Sequence, residues 1–128
     1  MRYDVIFQPF TERHFIKTFS KKYRGAWDST YKALVVEFMF FDVLLERKMA
    51  DPIIDSPEIT ICKTEFKIAG SNESRHGSGN RCIVALHKNT RKVCVLLVYY
   101  KTDLHDGDET AKWKKLVKEN YPEYKELF

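Results

Sequence analysis

Hydrophobic positions along this chain recur first at every second residue, then at helical spacing, then at every second residue again. Tyr3, Val5 and Phe7 alternate with Asp4 and Ile6, which predicts a short first strand. Pro9 ends it, and Thr11 stands where it can cap a helix with Phe15, Ile16, Phe19 and Tyr23 on its apolar face. Gly25 breaks that pattern. Trp27, Tyr31, Leu34, Val35, Phe38, Phe41, Leu44 and Leu45 then keep helical spacing. A second helix is expected to about Met49, because Asp51-Pro52 blocks its continuation. Two amphipathic helices with a short link predict an antiparallel hairpin. The Phe38 to Phe41 stripe reads as core packing.

From Ile59 the period returns to two, with Thr60, Cys62, Thr64 and Phe66 alternating against Ile61, Lys63 and Glu65. Gly70 to Asn80 is a polar loop with three glycines, expected to be flexible. Arg81 to His87 reads as a strand, Lys88 to Arg91 as a turn, and Val93 to Tyr100 as a nearly continuous apolar strand. That last strand belongs at the centre of the sheet, buried on both faces. Asp106 to Glu109 suits a helix start, and Trp113, Leu116, Val117 and Tyr121 mark one face of a final helix closed by Pro122. The expected class is α+β in the order β-α-α-β-β-β-α. An antiparallel helical hairpin would pack on a mostly antiparallel four-stranded sheet, with a C-terminal helix. No linker or repeat divides the chain, so residues 1–128 are read as one domain.

Composition narrows the class. Hydrophobic residues at 44% and charged residues at 31% suit a globular chain and not a disordered one. Cys62, Cys82 and Cys94 are odd in number, lie in strands and lack metal-ligand spacing, so they read as buried reduced thiols. Four scattered histidines give no zinc signature. The N-terminus has no apolar export segment, and the run from Ala33 to Leu45 is too short to span a bilayer. A cytoplasmic protein is expected.

Charge changes the picture more. Between Cys62 and Lys101, eight basic residues face only Glu65 and Glu73, a net of +6 in a chain whose total is +4. Charge gathered on one structural unit draws polyanions. In the strand after the loop, Arg81, Ile83, Ala85 and His87 point one way and Cys82, Val84 and Leu86 the other. The purely apolar set belongs under the hairpin, which leaves Arg81 and His87 on an open face. Lys63 and Lys67 on the preceding strand, Arg75 and His76 in the loop, and Lys101 at the end of the central strand would then converge on one patch. Such a patch holds a phosphate and stabilises a five-coordinate transition state. His76, His87 and His105 are candidate acid–base groups. Tyr99 and Tyr100 offer stacking surfaces, with at least one expected in the core. Asp103, Asp106, Asp108 and Glu109 read as helix-start residues. No Gly-rich phosphate loop, Ser-His-Asp set or paired carboxylates occur.

Three stretches carry a family resemblance: the short first strand followed by Thr-Glu-Arg-His-Phe-Ile-Lys-Thr-Phe, the arginine-led Asn80-Arg-Cys-Ile-Val-Ala-Leu-His, and Val93-Cys-Val-Leu-Leu-Val-Tyr-Tyr-Lys101. With the element order, they make the chain similar over nearly its whole length to the RelE/ParE superfamily of toxins from type II toxin–antitoxin modules. The resemblance implies a metal-independent, ribosome-associated endoribonuclease without cofactor. It would cut messenger RNA by attack of the ribose 2′-hydroxyl and be restrained by a cognate antitoxin. By position, Arg81 matches the arginine that opens the third strand, Lys67 and Lys63 the lysines before it, and Lys101 the basic residue closing the fourth. His105 is the nominee for the missing general acid, and Lys63, Arg75, His76 and His87 would contact RNA. The chain departs from the pattern in its longer loop before Arg81 and in Thr-Asp-Leu-His after Lys101. A gyrase-inhibiting ParE-like toxin and a non-toxic nucleic-acid-binding α+β domain are the alternatives.

Overall fold

The structure is a computed structural model and describes residues 2–104 and 108–128. It is α+β, with a five-stranded mixed sheet sandwiched between helices. The strands are β1 (Asp4–Phe7), β2 (Ala50–Asp55), β3 (Ile59–Phe66), β4 (Asn80–His87) and β5 (Lys92–Tyr100), in the spatial order β1-β5-β4-β3-β2. β1 runs parallel to β5, and every other pairing is antiparallel. The sheet thus has five strands where the sequence suggested four. β2 is the addition, and it occupies an edge, where Pro52 has no ladder hydrogen bond to break.

Helix α1 (Pro9–Thr11) passes through a wider π-helical turn, Glu12–Ile16, into α2 (Lys17–Lys22). Pro9 opens it, as its missing N–H costs nothing at a first helical position. Thr11 is not a cap: it is buried, and its hydroxyl donates to the Leu96 carbonyl. α3 (Trp27–Met39) follows the turn at Gly25, then α4 (Phe41–Glu46). The expected single long helix breaks at Phe40, whose backbone leaves the helical region (φ −111°, ψ 46°). That break turns both Phe38 and Phe41 fully inward and leaves Phe40 45% exposed.

These helices cover one face of the sheet. Phe19, Trp27, Leu34, Phe38 and Leu44 pack there with Cys82, Val84, Leu86, Val95 and Val98. α5 (Glu109–Asn120) covers the other face, where Trp113, Val117 and Tyr121 meet Ile61, Ile83, Ala85, Leu97 and Tyr99. Asp108 caps α5 by accepting from the Thr110 amide at 2.9 Å. β5 lies between two layers, as its apolar run predicted. It carries one extra residue against β4: Ile83 faces Leu97 but Val84 faces Val95, so Leu96 is left over. The Leu96 carbonyl accepts from both the Thr11 and Tyr121 hydroxyls, the latter at 2.7 Å. Cys62, Cys82 and Cys94 are all buried and unpaired, and burial pushes the Cys62 thiol up to about 12. No helix among the described residues is long and apolar enough to cross a membrane.

Candidate functional site

Covering both faces decides the fate of Arg81. It does point away from Cys82, Val84 and Leu86, but into the layer under α5 and not into solvent. Its exposure is 4%, and its guanidinium lies 3.6 Å from Glu65 Oε2. Nη1 donates to the Asn80 carbonyl at 3.2 Å and Nη2 to the His76 carbonyl at 3.5 Å. The open Arg81 face expected from strand alternation is therefore closed. β5 is apolar on both sides, and its second side needs a cover that Trp113 and Val117 supply.

Lys63 shares that face and is also engaged, with its ammonium 3.0 Å from Glu109 Oε2. The Tyr99 hydroxyl donates to the same oxygen at 2.7 Å. Burial pushes the Tyr99 hydroxyl well up, and the Glu109 carboxylate beside it adds to the effect. Burial alone would raise Glu109, but the Tyr99 hydroxyl and the Lys63 ammonium bring it below the usual carboxylate range. Tyr99 is thus a core residue with its hydroxyl committed.

The loop residues do not swing over this face together. Arg75 bends to the hairpin side, where Nη1 holds Glu37 on α3 through both oxygens at 2.8 and 2.9 Å. His76 stays exposed on the α5 side, with Nδ1 2.9 Å from Glu65 Oε2. Ser78 ties the loop to the sheet: its single hydroxyl proton is within reach of both the Phe66 and the Arg75 carbonyls. His87 lies at the opposite end of β4, roughly 20 Å from Arg81 by strand rise. Its Nε2 is 2.8 Å from the Tyr124 hydroxyl, and burial, with Lys92 nearby, lowers its pKa. His105 lies outside the described residues. Among the described residues no group of His, Cys, Asp and Glu gathers as a metal site.

Four acids from other parts of the chain offset part of the +6 segment: Glu109, Glu37, Asp55 and Asp42 pair with Lys63, Arg75, Lys88 and Arg91. Glu65, within the segment, pairs with Arg81. Lys67, Lys92 and Lys101 are exposed and have no ion pair among the described residues. Lys67 and Lys101 follow the ends of β3 and β5, which both finish beside the start of β4. Lys92 sits at the far end, opposite His87.

The end of the sheet that holds Lys67 and Lys101 also holds a cleft of about 450 Å³. Lys22 and Tyr23 form one wall, Ile68 to Ser71 with Glu73 another, and Ser78, Asn80 and Tyr100 the base. The Lys22 ammonium sits 5.3 Å from the centre of the Tyr23 ring and 5.4 Å from that of Tyr100. Asn80 is 3% exposed, and its Oδ1 has no hydrogen-bond partner. Gly79 adopts φ +78°, and a Cβ there would stand 2.7 Å from Tyr100 Cε1, so only glycine lets the ring lie against the backbone. Tyr100 and the Asn80 that opens the strand are visible in the sequence as parts of the basic motif. Lys22 and Tyr23 read only as the two faces of the first helix. The Ser-Gly-Asn run before the strand was the one sequence signal pointing to a tight backbone approach there.

Comparison with protein-family models, with curated proteins and with solved structures gives no match for this chain.

Proposed function

We propose that the chain is the toxin of a toxin–antitoxin pair, of the RelE/ParE kind, and that it acts on messenger RNA at the end of the sheet where β5 finishes. The observation carrying the reading is the set of ammonium groups without an internal acid there. Lys22, Lys67 and Lys101 have no ion pair among the described residues; Lys22 lies over the half-buried Tyr100, Lys101 follows it, and Lys67 leaves β3 at the same end of the sheet. Phosphates supply the missing counter-charge, and a single strand brings bases for an aromatic ring. The order of elements supports the resemblance, with β2 as an added edge strand.

Cleavage by the ribose 2′-hydroxyl needs cations on the non-bridging phosphate oxygens and groups that move a proton at each end of the reacting line. Lys67 and Lys101 are the exposed cations for the first role. Arg81 is a positioning residue in this reading, since it holds the Asn80 and His76 carbonyls and Glu65. The same pairing favours a second reading, a toxin that binds its target without cutting. The partner is an antitoxin with apolar side chains for the groove at Val36, Phe40 and Val43, and acids for Arg47 beside it.

Induction in growing cells tests the reading. Protein synthesis should stop first, and translating extracts should yield RNA ends carrying a cyclic phosphate. Replication stopping first, with RNA intact, would favour binding to a topoisomerase. Unimpeded growth with intact RNA would discard both.

A further inference from the structure

The cleft at Tyr100 has features that a cationic rim does not require. A buried carboxamide oxygen without a donor calls for a partner, and Asn80 provides one on the cleft floor. A carboxamide carries a donor and an acceptor side by side, which matches the edge of a nucleobase. The Tyr100 ring lies against Gly79, and the Lys22 ammonium sits 5.4 Å from its centre. A lysine stem is long enough to swing from the ring onto a phosphate, which bares the ring for stacking. On the outer wall Ser71 and Glu73 offer acceptors to ribose hydroxyls, and Glu73 repels an anion, so the phosphate is directed to Lys22. The volume of about 450 Å³ falls within the roughly 300–1,000 Å³ of small-molecule sites.

We propose that this cleft seats one nucleotide, with its phosphate on Lys22, its base on Tyr100 and its base edge at the Asn80 carboxamide. The inference rests on the RNA-directed reading above and names the unit of RNA that the site takes. Neither Lys22 nor Asn80 belongs to the cations that the family resemblance singles out, and the cleft opens on the hairpin side, away from Arg81.

The test titrates the full chain with ribonucleoside 5′-monophosphates, ribose 5-phosphate, inorganic phosphate and a short single-stranded RNA, followed by amide NMR. Nucleotides should move the Gly79, Asn80 and Tyr100 signals and bind about tenfold or more tighter than ribose 5-phosphate. Lys22→Ala and Tyr100→Ala should each weaken that binding by about tenfold, whereas Tyr100→Phe keeps it. A chain that binds nucleotides no better than inorganic phosphate, or is indifferent to Lys22→Ala, overturns the proposal. If the RNA still binds and growth still stops in that event, the toxin reading survives alone. If mononucleotides bind but RNA does not, and growth continues, the cleft serves a free nucleotide and the toxin reading falls.

Discussion

The Arg81 guanidinium lies 3.6 Å from Glu65 Oε2 on the sheet face that α5 covers, with 4% of the arginine exposed. A cation so placed is engaged before any ligand arrives. Its removal takes one donor each from Glu65, which keeps His76, and from the Asn80 and His76 carbonyls. Arg81→Ala should therefore destabilise the fold by about 1–3 kcal/mol, a loss typical of a buried charge-assisted contact. Urea denaturation checks this, and a variant as stable as the parent would contradict the buried placement.

Gly79→Ala should also destabilise, for a different reason. The added Cβ meets the Tyr100 ring at 2.7 Å, and the residue must hold φ +78°. The cost should be at least about 1 kcal/mol. Thermal melts measure it, and the aromatic NMR signals of Tyr100 should shift in the same variant.

His87 gives a pH dependence whose sign is fixed by its burial. Its folded pKa is depressed, so the unfolded chain takes up a proton first as pH falls. Stability should be full above the ordinary histidine value of about 6.5 and decline as pH drops from there through the folded value. His87→Gln should flatten that slope in equilibrium unfolding measured across the same range. An unchanged slope would place its origin elsewhere.

Salt dependence reads out the three ammonium groups at the sheet end. Each phosphate contact contributes a slope of about 0.7 in log affinity against log salt for a single strand. Lys22→Ala with Lys67→Ala and Lys101→Ala together should reduce the slope for single-stranded RNA by about 2. Lys114→Ala with Lys115→Ala and Lys118→Ala, on the α5 surface, should leave it unchanged. Equal losses in both sets would mean diffuse attraction and no defined contact site.

Alternation and helical spacing made β1, β3, β4, β5 and the faces of α3 and α5 legible in the sequence. β2 was hidden because Asp51-Pro52 reads as a stop, and only an edge position makes a proline harmless in a strand. The direction in which Arg81 points was legible, but its surroundings were not read correctly. The clue lay in β5: Val93 to Tyr99 is apolar on both sides, and two apolar sides require two covering layers. The pairing of Lys63 with Glu109 and of Arg75 with Glu37 joins residues far apart along the chain. Local charge counts are blind to such partners, so the +6 segment overstated the free positive surface.

The surplus residue in β5 gives the molecule a shared keystone. Leu96 turns one carbonyl out of the strand ladder, and hydroxyls from residue 11 and residue 121 both close on it. Removing either hydroxyl strips that oxygen of a donor inside an apolar interior. The N-terminal helices and the C-terminal helix should therefore melt in one step. The two hydroxyls lie 3.2 Å apart and Phe10 packs edge-on against Tyr121, so Thr11→Val and Tyr121→Phe should each loosen the contact between the first helix and the end of α5.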